Sequence, residues 1–207
     1  MINNKKEKKI FSLLISDFQK ESLNDFNLNS ILKKKSINED DFYYFFPEKT
    51  KSLCIFFLKN LQYKLEKKTK KIIESEKSIS KRVRFILIEL IKLVEEDKAT
   101  SLYFLNYMTR KPFFLKGIAL KFSDTIWFAL KDKSVDFNFY TKRIILSKIL
   151  INSFIYWRGS DNNKKTEEFI NKQIDLLGKF GYYKSKFKVL ISRMTTKNFL
   201  TKFDFLH

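Results

Sequence analysis

Apolar residues recur at helical spacing along nearly the whole chain, and no stretch alternates as a half-buried strand would. Ile10, Phe11, Leu13, Leu14 and Phe18 predict a first helix over 5–20. Leu28, Ile31 and Leu32 predict a short second helix with Asn27 as its N-cap. Ser36 and Glu39 have capping-box spacing, and Asp40 and Asp41 add acid to the first turn, so a third short helix is expected there. It should stop at Pro47, which also disfavours helix at Phe46. A long helix over 50–75 follows, with Leu53, Phe56, Phe57, Leu61 and Leu65 on one side and a Lys-rich later part that reads as a solvated face. Ser80 is expected to cap a helix carrying Val83, Ile86, Leu90 and Leu93. A further piece over 101–109 is broken at Arg110-Lys111-Pro112. Helices over 117–130 and 139–158 flank a polar turn at 132–136, and the second is apolar nearly all round, which predicts a central position. Thr166 is expected to cap a helix reaching 177, with Gly178 and Gly181 as a hinge before a separate tail, 182–207.

The chain has 207 residues, 44% hydrophobic and 16% aromatic, enough for a sizeable core and incompatible with a fully disordered chain. Four Gly and two Pro argue against Gly/Pro-punctuated β-sandwiches and Gly-rich nucleotide folds. A single Cys54 excludes an intramolecular disulfide and a thiolate cluster, and a single His207 removes His-based metal sites and nearly all His-dependent nucleophilic catalysis. No metal site and no catalytic residue is expected. Against 42 Lys and Arg stand 23 Asp and Glu, a net charge of +19. That excess fits an anionic partner, and it equally fits the Lys-, Asn-, Ile- and Phe-rich usage of an AT-rich coding sequence. No apolar run approaches the roughly 20 residues needed to span a bilayer. Asp17 interrupts the first apolar stretch too early for a signal peptide.

Helix, short helix, turn, short helix and long helix is the layout of a helix-turn-helix module. The segment Ser36 to Lys49, with Tyr43, Phe46, Pro47 and Lys49, is similar to the recognition-helix region of TetR-type proteins. A DNA-reading helix must meet phosphates with its first turn, however, and this one begins Glu39-Asp40-Asp41. The module is therefore expected to be a scaffold, with nucleic acid an unlikely partner.

The stretch from Trp127 to Arg143 is more specific. Trp127, then Asp132 five residues on, Ser134, and the run Asp136-Phe137-Asn138-Phe139-Tyr140-Thr141-Lys142-Arg143 look like the signature of the Coq-nine family of ubiquinone-biosynthesis accessory proteins. Trp157 ahead of Gly159-Ser160-Asp161, then Thr166, Phe169 and Ile174, extend the resemblance, which covers roughly 42–177. The family usually has Trp where Phe139 stands, Gly where Lys131 stands, Arg where Gln173 stands, and a Leu-Pro near Thr109. From the residues alone, Asp132 and Ser134 can cap the following helix, while Asp136, Tyr140 and Arg143 lie on one face.

The resemblance implies an all-α, TetR-like helical bundle with three parts. These are a degenerate helix-turn-helix-like module (1–50), a helical lipid-binding and partner-docking domain (51–181), and an amphipathic basic C-terminal helix (182–207). It implies a non-enzymatic accessory protein that takes an isoprenoid quinone intermediate, or a related lipid, from the membrane and presents it to a quinone-modifying hydroxylase. Asp136, Phe139, Tyr140 and Arg143 would form the docking patch. Phe122, Trp127, Leu146, Ile149, Leu150 and Phe154 would line the lipid site, unless they simply fill a core. Phe187, Leu190, Ile191 and Met194 recur at i, i+3, i+4 and i+7 with lysines flanking, as in an interfacial helix on anionic lipid. The expected location is cytoplasmic, peripheral on the inner face of the membrane (bacterial, or the mitochondrial matrix), with a homodimer expected from TetR-like folds. The alternative is a TetR-type transcriptional regulator with an apolar ligand pocket.

Overall fold

The computed structural model describes residues 5–20, 23–160 and 162–179, and among them the chain is all-α. The tail, with Phe187, Leu190, Ile191 and Met194, lies outside the described residues, as does Gly181. The helices are α1 (Lys5–Gln19), α2 (Leu28–Lys34), α3 (Glu39–Phe45), α4 (Thr50–Ser75), α5 (Ile79–Glu96), α6 (Lys98–Thr109), α7 (Pro112–Ala129), α8 (Asp136–Arg158) and α9 (Asn163–Lys179). No described helix is long and apolar enough to cross a membrane.

Among the described residues two compact units form, one within 5–77 and 85–112, the other within 78–84 and 113–179. The first is held by an aromatic core. Phe104 stacks on Phe57 (4.9 Å between centroids) and packs on Phe18 (5.0 Å) and Tyr103 (5.0 Å), while Phe11 reaches Phe56 at 4.9 Å. α3 joins through Phe42 and Phe46, both fully buried, and Phe46 meets Phe56 edge-on. The helix-turn-helix-like order is present in α1–α3. At the foot of α3, the Lys6 ammonium lies 2.7 Å from Asp41 and Lys33 lies 4.0 Å from Glu39.

Several helix ends differ from expectation, each for a local reason. α3 is capped by Asn38, whose Oδ1 accepts from the Asp41 amide at 2.9 Å, and not by a box from Ser36. Ser36 instead closes α2. It has φ 53°, its amide donates to Lys33 O, and the Ile37 amide donates to Leu32 O, a paired closure that wants a left-handed residue. Asn27 precedes α2, but its Oδ1 accepts from the Asn24 amide. Ser78, not Ser80, accepts from the first turn of α5. α6 starts three residues early because Asp97 accepts from the Thr100 amide, and α7 starts at Pro112, where proline's missing N–H costs nothing. Asn162, not Thr166, accepts from the first turn of α9, which continues through Gly178.

Ser36→Gly should relieve the left-handed strain and stabilise the first unit by about 0.5–1 kcal/mol, net of the extra freedom glycine gives the unfolded chain. A thermal melt checks this, and an unchanged or lowered midpoint counts against it.

In the second unit, α7 buries Ala119, Phe122, Ser123, Ile126 and Trp127, and Leu130 just past its end is buried as well. α8 buries Leu146, Ile149, Leu150, Ser153 and Trp157 as one stripe. Its apolar character on all sides does not translate into burial on all sides, since Ile155 and Tyr156 are exposed. α9 packs on α8 through Ile170 and Ile174, both buried, and Phe169 stacks on Tyr156 (4.4 Å, 5°).

Candidate partner-docking and lipid site

The geometry begins with how α7 ends. The Lys131 amide donates to Phe128 O, the Asp132 amide donates to Trp127 O, and Lys131 itself takes φ 55°. This is the same closure as at Ser36, one that favours glycine. The turn delivers Asp132 beneath the start of α8.

Asp132 then gathers the segment around it. Its side chain is 5% exposed. Lys142 Nζ donates to Oδ1 at 2.6 Å, Ser134 Oγ donates to Oδ2, and Arg143 Nη1 lies 3.6 Å from Oδ2. Burial disfavours the charge of Asp132, but the hydrogen bonds from Lys142 and Ser134 outweigh it and hold the carboxyl below the usual aspartate range. Asp132 thus grips side chains of the first turns of α8 rather than capping its amides; the N-cap position is Val135, which makes no side-chain cap.

Arg143 is the second centre. Its Nε donates to Asp124 Oδ1 at 2.6 Å, its Nη1 donates to Phe139 O at 3.1 Å, and the guanidinium carbon sits 3.3 Å from the centroid of the Phe139 ring. The side chain is 11% exposed. Two further bonds lock α7 to α8, from Ser123 Oγ to Arg143 O (2.9 Å) and from Trp127 Nε1 to Lys142 O (3.2 Å). Lys142 Nζ also lies 5.0 Å from the centre of the Trp127 ring.

Three of the four residues expected in the docking patch, Phe139, Tyr140 and Arg143, occupy different layers. Tyr140 is exposed and meets Phe139 edge-on at 5.2 Å. Phe139 is half-buried under the guanidinium, and Arg143 lies inside. Asp136 opens α8, and its side chain lies outside the described set. Exposed apolar side chains that the sequence pattern did not single out flank the same turn, with Phe128 at 82% and Val135 at 69%. Phe128 was legible as one step off the buried α7 stripe. Asp124 and Lys142 were not, since their partners lie 10 to 19 residues away.

Of the proposed lipid-site residues, Phe122, Trp127, Leu146, Ile149 and Leu150 are buried, while Phe154 is half-buried and edge-on to Trp157. They line the α7 and α8 stripes that the Ser123 and Trp127 bonds bring together. Among the described residues, no group of three or more His, Cys, Asp or Glu is placed to hold a metal ion.

The depressed Asp132 pKa makes an acid-side prediction. The carboxyl binds its proton more readily unfolded than folded, so its stabilisation is complete above the ordinary aspartate value and is lost as pH falls through the lower folded value. The melting temperature should hold down to about pH 4 and fall below it. Asp132→Asn should melt lower at neutral pH and converge with the parent in acid. Parallel melting curves at every pH would contradict this.

Residues 117–181 match the COQ9 family model. No curated protein and no solved structure matches the chain.

Proposed function

We propose, from the match of residues 117–181 to the COQ9 family model, that this chain is a non-enzymatic lipid-presenting accessory protein. The COQ9 family works in ubiquinone biosynthesis, as an accessory rather than a catalytic component, and the domain ties the chain to that pathway. Within it, the chain takes an isoprenoid quinone intermediate from the membrane, holds it along the buried α7–α8 stripes, and presents it to a quinone-modifying hydroxylase.

The observation that carries the docking half is the arrangement at the α7–α8 turn. Asp132 and Arg143, both inside, bond to Lys142 and Asp124 at the rim to form a frame, and near it Phe128, Val135 and Tyr140 stand in solvent. Exposed apolar residues on a rigid frame lose little freedom when a partner covers them, and aromatic residues are the common anchors of such contacts. Burial of Phe122, Leu146, Ile149 and Leu150 supports an apolar site for the isoprenoid chain. Each 100 Å² of chain removed from water is worth about 2.5 kcal/mol. The tail, with Phe187, Leu190, Ile191 and Met194, serves as the interfacial anchor, on the inner face of the membrane. The regulator alternative requires α3 to approach phosphate with Glu39, Asp40 and Asp41 in its first turn, which the phosphate field opposes.

Tyr140→Ala and Phe128→Ala should each weaken hydroxylase binding by about tenfold or more with an unchanged melting temperature. Isothermal titration against the hydroxylase of the same organism measures it. Wild-type affinity in both folded variants would remove the patch from the interface.

A further inference from the structure

We propose that the exposed face of the second half of α4 docks on an anionic lipid bilayer. The proposal is independent of the quinone reading and of the COQ9 match, since α4 lies outside 117–181.

Lys59, Tyr63, Lys67, Lys70 and Lys71 are all exposed and recur at i, i+4, i+8, i+11 and i+12, a spacing that places them along one side of the helix. The opposite side buries Leu61, Leu65 and Thr69 against the first unit. The row runs about 18 Å along a continuous helix. Residues 59–75 hold six Lys and two Glu, a net charge of +4. Lys64 and Lys68 at the margin are taken up by Glu96, at 3.9 and 2.6 Å. Among the described residues Lys67, Lys70 and Lys71 form no ion pair, and Lys59 has the Glu7 carboxylate of α1 within electrostatic reach. The two acids of the segment, Glu66 and Glu74, are exposed, and Glu66 accepts from Gln62. Tyr63 is 53% exposed, with the Lys67 ammonium 4.4 Å from its ring centre.

The chemistry of the row favours lipid headgroups over nucleic acid. Every cation in it is lysine, a compact point charge, with no arginine fork for bidentate recognition of phosphate or base. Its one aromatic is a tyrosine, a side chain that settles at the water–headgroup boundary. With no large aliphatic residue in the row, adhesion would be electrostatic and shallow. It would therefore be released by salt, whereas an apolar anchor would hold.

The test is co-sedimentation of the full chain with phosphatidylcholine vesicles, with and without phosphatidylglycerol, at low and high salt. The parent should bind anionic vesicles more than neutral ones, and high salt should remove that excess while any binding through the apolar tail remains. Substituting Lys59, Lys67, Lys70 and Lys71 together by Gln, a good helix former, should cut the salt-sensitive part of the anionic-vesicle binding at least about tenfold with unchanged circular dichroism. The matched control replaces the exposed Lys116, Lys121, Lys148 and Lys172 by Gln and should retain most of the binding. Three results would overturn the proposal. The first is no binding by the parent. The second is equal binding by parent and α4 variant, or equal loss in the control. The third is tighter binding of the parent to single-stranded RNA that the α4 substitutions abolish.

Discussion

Arg143→Glu should destabilise the second unit by about 3 kcal/mol, because it loses charge-assisted bonds and sets a new carboxylate against Asp132, which keeps Lys142 as its partner. The guanidinium lies between the Asp124 and Asp132 carboxylates and covers the Phe139 ring. A glutamate there would set a third carboxylate beside the other two and bare the ring. Asp124 is 58% exposed and can swing into water, but Asp132, 5% exposed, cannot. Arg143→Lys should cost less, about 1–2 kcal/mol, because charge survives while the fork and its bond to Phe139 O are lost. Urea unfolding followed by Trp fluorescence measures both; a variant of parental stability would mean that the contacts to Asp132 and Asp124 contribute nothing. Arg143 is thus a positioning residue. Loss of hydroxylase binding in its variants would report a collapsed frame, whereas Tyr140→Ala isolates the surface.

Trp157→Ala should lower stability by a similar margin, about 3–5 kcal/mol, through lost apolar burial and an unfilled cavity. Trp157 is 1% exposed on the α8 stripe, edge-on to Phe154, and sits two residues before the Gly159 turn into α9. Trp157→Phe keeps most of the apolar face and should cost about 1–2 kcal/mol. Removing the indole should also loosen α9 and raise amide exchange along it. Protection of α9 that is unaltered in Trp157→Ala would place the stabilising contacts elsewhere.

Helix bodies were legible because burial follows apolar spacing. α4 begins and ends where its pattern predicts, and α1 ends one residue short of expectation. Helix ends were less legible, because several nearby residues can cap and backbone geometry chooses among them. Ser36, Ser80 and Thr166 each lost the role to a neighbour, and Ser36 was spent on a left-handed closure. The bonded frame of Asp132, Lys142 and Arg143 lies inside the stretch from Trp127 to Arg143. The spacing did not reveal that Asp132 would grip Lys142 and Arg143 instead of amides, or that Arg143 would point inward. Both depend on Asp124 and on the Lys131 closure, contacts between segments that no local periodicity encodes. At the left-handed Lys131 a glycine would relieve the strain.

The most direct test of the proposed role is native mass spectrometry with lipid extraction, on the full chain purified from a ubiquinone-making host. A lipid carrier should retain a long-chain isoprenoid quinone or related lipid, and substituting Leu146 and Leu150 by Asn should remove it. A ligand-free chain that takes up no quinone from loaded vesicles would contradict the carrier role.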